Sequence, residues 1–150
     1  MSFKSVDEVL DFAIKNEEEA VDFYTDLANK MERPVMRKIF MEFAEEEKGH
    51  KEKLLDIKSG KLLSSSADEV ITLDITDYLV EVDPGSKLDY QGALILAMNK
   101  EKSAYKLYTD LADTTDNENL KTSFLMLAQE EAKHKLRFEI EYDENVLKEM

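Results

Sequence analysis

Slid against itself by 84 residues, the chain reproduces itself. AIKNEEEAVDFYTDLA at 13–28 falls on AMNKEKSAYKLYTDLA at 97–112, and in the same register, without a gap, AEEEKGHK at 44–51 falls on AQEEAKHK at 128–135. One register covering two separated stretches means one structural unit used twice. The unit reads as a helical hairpin. Ser5 stands before VDEVL with Glu8 three residues on, the pattern that caps a helix start, and Asp89 occupies the equivalent place in the second half. NKMERP ends the first helix and puts Pro34 in the first turn of the second, Ser59-Gly60 closes the second, and DTTDNEN separates the third from the fourth. The expected organisation is one domain over 1–150, with repeat halves at 5–58 and 89–148 and a crossover at 59–88.

The crossover holds SSS, the β-prone VITLDITDYLVEV and the turn DPGS. A connection of this length is unusual inside a compact domain. An antiparallel four-helix bundle supplies the reason: helices of about 25 residues are roughly 37 Å long, and a lengthwise crossover between the second and third must traverse most of that. The β-prone stretch either packs along the bundle or pairs with a partner chain, and the sequence leaves both open.

Composition agrees. With 4 Gly and 2 Pro, the chain favours long uninterrupted helices over a turn-rich sheet, so the expected class is all-α. A net charge of −14 and a pI near 4.6 repel phosphate backbones and anionic lipids, which excludes nucleic-acid and membrane partners and suits cation binding. No cysteine is present, which removes disulfides, thiolate metal sites and thiol nucleophiles together. MSFKSVDEVLDF has no signal-like apolar core and the run ALILAM at 93–98 is too short to span a bilayer, so a soluble cytoplasmic protein is expected.

The defects in the apolar seams carry the chemistry. On the second helix Met36, Phe40, Phe43, Glu47, His50, Leu54 and Ile57 step by fours and threes, and on the fourth Leu120, Phe124, Leu127, Glu131, His134 and Phe138 do the same. The first helix runs Leu10, Ala13, Ile14, Glu17, Ala20, Tyr24, Leu27, and the third runs Leu94, Ala97, Met98, Glu101, Ala104, Tyr108, Leu111. Four carboxylates and two imidazoles are thus directed to one level of the core. Burying even one unpaired carboxylate costs several kcal/mol, and four repel one another besides. Two divalent ions resolve this, +4 against −4. Solvated helix faces are the alternative, but that register would expose Phe40, Phe43, Phe124 and Leu127.

The set Glu17…Glu47-x-x-His50 and Glu101…Glu131-x-x-His134, each Glu-to-Glu gap being 30 residues, resembles the ferritin-like superfamily and most closely the rubrerythrin-related proteins. The resemblance covers both hairpins, leaving out the crossover and the last dozen residues. It implies a ferritin-like bundle with Glu17, Glu47, His50, Glu101, Glu131 and His134 as metal ligands, Glu47 and Glu131 bridging, and two iron ions as cofactor, with manganese or zinc as alternatives. Tyr24 and Tyr108 match family tyrosines that hydrogen-bond ligand carboxylates, with plain core packing as the competing reading. Two departures stand out. The rubredoxin domain of rubrerythrins proper has no counterpart here, so the resemblance implies an external electron donor such as a rubredoxin. The family's extra glutamate three residues after the third-helix ligand is replaced by Ala104.

The implied function is a di-iron oxidoreductase reducing hydrogen peroxide or dioxygen, as a homodimer. The competing readings are a ferroxidase feeding an iron store, an oxygenase with an organic substrate housed beside Ala20 and Ala104, and a non-catalytic acidic bundle. Met31, Met36, Met41, Met98 and Met126 are expected as gap-filling core, with no haem. Gly49 either admits a close neighbour or is neutral, and the charged stretches KEK and EIEYDE read as solvated faces.

Overall fold

The computed structural model describes residues 2–3, 5–59, 71–72 and 89–145. The elements in chain order are β1 (Ser2–Phe3), α1 (Val6–Lys30), α2 (Pro34–Ser59), β2 (Ile71–Thr72), α3 (Tyr90–Thr114) and α4 (Glu118–Asn145). The helices pack as two hairpins, α1 on α2 and α3 on α4, closed face to face into an all-α four-helix bundle.

Each helix starts where its sequence says it should. The Ser5 hydroxyl accepts the Glu8 N–H at 3.2 Å and the Asp89 carboxylate accepts that of Gly92 at 2.8 Å, satisfying amides that the first turn leaves unpaired. Pro34 opens α2, where its missing N–H is no loss. Arg37 Nε donates to the Met31 carbonyl at 2.5 Å, fastening the α1–α2 turn. Asn117 caps α4 by accepting the Leu120 N–H at 3.1 Å.

The seams are buried nearly as read. Only Met36 and Met98 are partly rather than fully buried. Two apolar cores result, one around Leu10, Ile14, Leu54, Leu111, Phe124 and Leu127, the other around Tyr24, Leu27, Phe40, Phe43, Leu94 and Phe138. The glutamates and histidines occupy the level between them. Both neighbouring layers are hydrocarbon and aromatic, so bulk water is excluded from either side along the bundle axis.

Some expectations change. Met41 and Met126 are 41% and 56% exposed and fill no gap, although Met31 is buried. The EIEYDE stretch is not merely solvated: Tyr90 Oη donates to Glu141 at 2.7 Å, and Tyr142 packs against the second core and accepts from Gln91 at 3.2 Å, tying the end of α4 to the start of α3. Ile71–Thr72, from the β-prone stretch, pairs antiparallel with Ser2–Phe3 of the same chain, Ser2 opposite Thr72 and Phe3 opposite Ile71. The rest of the crossover, 60–70 and 73–88, lies outside the described residues.

Candidate metal centre

The four helices bring all six expected residues together. Glu101 is 0% exposed, Glu17, Glu47 and Glu131 are 1%, His50 2% and His134 7%. The i,i+3 spacing on α2 and α4 sets each Glu and His on one face, and the repeat brings the two faces opposite each other. His50 Nδ1 lies 2.7 Å from Glu131, 3.6 Å from Glu47 and 3.8 Å from Glu17; His134 Nδ1 lies 3.1 Å from Glu47 and 3.5 Å from Glu101. The two imidazoles are nearly parallel, 8° between planes and 5.6 Å between centres.

These inward atoms crowd without bonding. Glu17 Oε2, Glu47 Oε1, Glu101 Oε2, both Glu131 oxygens and both histidine Nδ1 atoms are buried with no hydrogen-bond partner, despite their short separations. Lone pairs that approach so closely yet miss hydrogen-bond alignment are pointed at common centres. Donor atoms within 4.8 Å of one another form two four-residue sets, Glu17, Glu47, His50, Glu131 and Glu47, Glu101, Glu131, His134. The sets share Glu47 and Glu131. Oxygen and nitrogen donors at this density, carrying four negative charges, fit two divalent cations and fit nothing neutral.

Four of the outward atoms, by contrast, have partners. Tyr108 Oη donates to Glu17 Oε1 and Tyr24 Oη to Glu101 Oε1, so each tyrosine serves the lone glutamate of the opposite hairpin. Side chains on a helix lean toward its N-terminus, which carries Tyr24 back from two turns away to the level of the glutamates. Burial, followed by the nearby glutamates, pushes both phenols far above their usual range, so they remain donors. His50 Nε2 meets Glu130 at 2.5 Å and His134 Nε2 meets Glu46 at 2.5 Å, again across hairpins. A proton on Nε2 facing a carboxylate leaves Nδ1 as the electron-pair donor facing inward.

Glu46 and Glu130 are the residues missed at the sequence level, because neither stands on an apolar seam. The signal was present: they are equivalent at the 84-residue offset, each directly before a seam glutamate. Their partners could not be read, because each sits four residues before the histidine of its own helix but reaches the other.

Burial, with neighbouring carboxylates adding to it, raises Glu17 and Glu131 well above the carboxylate range. Burial acts the same way on Glu101, but Glu131, His134 and Tyr24 outweigh it and hold it low. His134 is pushed up to about 10, burial opposing and Glu101 and Glu47 prevailing. Protons and cations therefore compete for the same inward atoms. On the α2·α4 side a groove of about 340 Å³ leads to them, floored by His50 and His134 and walled by Lys53, Lys133 and Arg137. A side chain at Gly49 would meet nothing within 4 Å, so this glycine admits no close neighbour and leaves the groove open. Ala20 and Ala104 are packed to 5% and 8% exposure.

Fold and site together define a four-helix carboxylate–histidine bundle with a cluster able to hold metal. The rubrerythrin family model matches residues 8–84 and 92–149, and the chain belongs to that family. The match takes in much of the crossover and the C-terminal end, further than the motif alone reaches. A ferritin-like diiron-carboxylate protein from Thermotoga maritima superposes with a TM-score of 0.67 at 23% identity, covering 94% of this chain and 95% of that one. A hypothetical protein from Pyrococcus furiosus superposes at 0.69 with 25% identity, covering 93% and 89%. The bundle is thus ferritin-like. No curated protein matches the chain. No helix among the described residues is long and apolar enough to cross a membrane.

Proposed function

We propose that the chain is a di-iron oxidoreductase of the rubrerythrin type, with hydrogen peroxide or dioxygen as oxidant and an external protein such as a rubredoxin as electron donor. The observation that carries this reading is the pair of four-residue sets sharing Glu47 and Glu131, whose inward atoms lack hydrogen bonds. Glu17 and His50 would hold one ion, Glu101 and His134 the other, and Glu47 and Glu131 both. Iron bound there supplies the electrons that cleave an oxygen–oxygen bond.

The chain's own residues prepare that chemistry. Tyr24 and Tyr108 fix one oxygen of each lone glutamate and leave the other inward. Glu46 and Glu130 lock the two imidazoles in orientation. The proton that Glu47 and Glu101 hold on His134 must leave when a cation takes its place, so loading releases protons. The α2·α4 groove gives a small oxidant a short path to the histidine edges.

The test is anaerobic loading of the metal-free chain with Fe(II), followed by mixing with peroxide or dioxygen in stopped flow. Two ions bound per chain and much faster oxidation by peroxide are expected. Failure to bind two, or a melting curve indifferent to chelator, overturns the reading. Ala104, standing where the family places a further glutamate, favours one second reading, a dioxygen-dependent oxidase or ferroxidase. Equal or faster oxidation by dioxygen would select it.

A further inference from the structure

The repeat supplies an internal comparison for the contacts behind the two histidines. On one side Glu130 Oε2 meets His50 Nε2 at 2.5 Å, while its other oxygen accepts from Lys53 Nζ at 3.2 Å. On the other side Glu46 meets His134 Nε2, also at 2.5 Å, and among the described residues no lysine or arginine pairs with Glu46. The counterpart of Lys53 at the 84-residue offset is Arg137. It pairs instead with Glu42 at 2.8 Å, and its guanidinium lies 4.8 Å over the Phe43 ring. At the same offset Glu42 and Phe43 become Met126 and Leu127, which offer a cation neither a carboxylate nor a ring. Lys53 therefore stays on Glu130, whereas Arg137 is drawn off Glu46.

We propose that Lys53 and Arg137 are positioning residues that make the two halves of the centre unequal, the Glu101/His134 half holding a divalent cation more tightly than the Glu17/His50 half. This rests on the metal reading above. A carboxylate behind an imidazole draws on the Nε2 proton and makes Nδ1 a stronger donor to a cation. Lys53 opposes that effect twice, since it takes a share of the Glu130 charge by hydrogen bonding and brings a positive charge of its own to the His50 side. The charge of Arg137 is balanced by Glu42, so Glu46 acts on His134 undivided. The inward groups cannot supply the difference. Each half has one lone glutamate held by one tyrosine, one histidine, and a share in Glu47 and Glu131. Lys53 and Glu130 are both partly exposed, which keeps the effect modest. One ion is then resident, and the other is the first to exchange.

The test is calorimetric titration of the metal-free full chain with Mn(II), with helical circular dichroism verifying that each variant is folded. Two cations side by side repel, so two binding steps are expected even from equal halves, and the variants carry the decision. Lys53→Met should tighten the weaker step about 3–10-fold, short of the 10–100-fold that loss of the carboxylate itself brings, and leave the tighter step where it is. Lys53→Arg should keep both steps of the unsubstituted chain. Lys48→Met makes the same change of net charge at a similarly exposed place on the same helix, and should move neither step. Glu46→Gln should weaken the tighter step and Glu130→Gln the weaker one, which assigns each step to its half. A chain that fails to bind two ions overturns the proposal together with the reading beneath it. With two ions bound, the proposal alone falls if Lys53→Met moves both steps or neither, if Lys48→Met acts as Lys53→Met does, or if Glu130→Gln weakens the tighter step.

Discussion

Replacing Glu131 with glutamine should make the metal-free protein more stable and the metal-loaded one less so. Glu131 is 1% exposed, both its oxygens lack hydrogen bonds, and burial followed by Glu101 and Glu47 raises its carboxyl well above the ordinary 4.5. Keeping such a group in the metal-free core costs stability near pH 7, where the unfolded carboxyl is ionised, on the order of the 1–3 kcal/mol of an unsatisfied buried polar group, and little near pH 5, close to its solution range. Glutamine is isosteric and carries no such cost. Allowing for an imperfectly placed amide, the gain in the metal-free state should be about 1–3 kcal/mol near pH 7, which in a chain of this size raises Tm by roughly 2–10 °C. It should shrink toward zero near pH 5. With two divalent ions per chain the order reverses, because the variant has lost a shared ligand. Thermal melts followed by far-UV circular dichroism, in chelator and in excess Mn(II) at both pH values, measure all four cases. A variant that is less stable than the parent without metal, or that keeps the parent's full metal-dependent gain, would refute the idea that this carboxylate is held in the core for a cation.

Four further outcomes follow from the same geometry. Each ion binding only the folded state, supplied at a hundred times its Kd, should add ~2.7 kcal/mol, so chelator should lower the Tm of the loaded protein by roughly 5 °C or more. Glu46→Gln and Glu130→Gln should each weaken metal binding about 10–100-fold in competition with a chromophoric chelator, the first acting through His134 and the second through His50; unchanged affinity would make these contacts incidental. Tyr24→Phe and Tyr108→Phe should destabilise the metal-free bundle by similar amounts, about 1–3 kcal/mol, since each strips one buried carboxylate oxygen of its donor; a large inequality would break the pseudo-symmetry. Metal-free stability should fall as pH rises. Glu17, Glu131 and His134 are all raised by folding, so their contributions are full below their solution pKa values and vanish as pH passes the folded ones, about 10 for His134, whereas lowered Glu101 contributes above 4.5 and loses its effect only in acid. Melts in chelator across the pH range test the sign.

The interior was legible in the sequence because a repeat doubles the evidence. A single seam broken by a glutamate and a histidine permits a register error; two seams broken at the same places would need the error twice, and the structure buries Phe40, Phe43, Phe124 and Leu127 with the polar residues between them. Periodicity tells which face a side chain takes. It does not tell which neighbour that side chain meets. Tyr24 shares a face with Glu17, seven residues and roughly 10.5 Å along its own helix, yet its hydroxyl ends on Glu101 of α3. Glu46 likewise ends on His134 rather than on its own helix's His50. Such pairings depend on how far a side chain leans and where the facing helix stands in height, neither of which a one-dimensional pattern encodes. The β1–β2 pairing was out of reach for a related reason, since two residues carry no usable period.

The outer faces diverge for a physical reason that the inner ones do not share. A cluster in which two donor sets share Glu47 and Glu131 holds its balance only if both hairpins supply the same groups, so a change at Glu47, His50 or their counterparts leaves an uncompensated buried charge worth several kcal/mol. Single surface substitutions such as Glu52 to Leu136 change stability by only a few tenths of a kcal/mol, so the two hairpins were free to differ there. Drift alone would scatter apolar residues over the surface. Exposed apolar residues do lie on both hairpins, Val35, Met41 and Leu55 on α2 as well as Ile95 on α3 and Leu136 and Ile140 on α4. The inner faces thus answer to one cluster shared by both hairpins, while the outer faces, which touch no part of it, were left free to diverge.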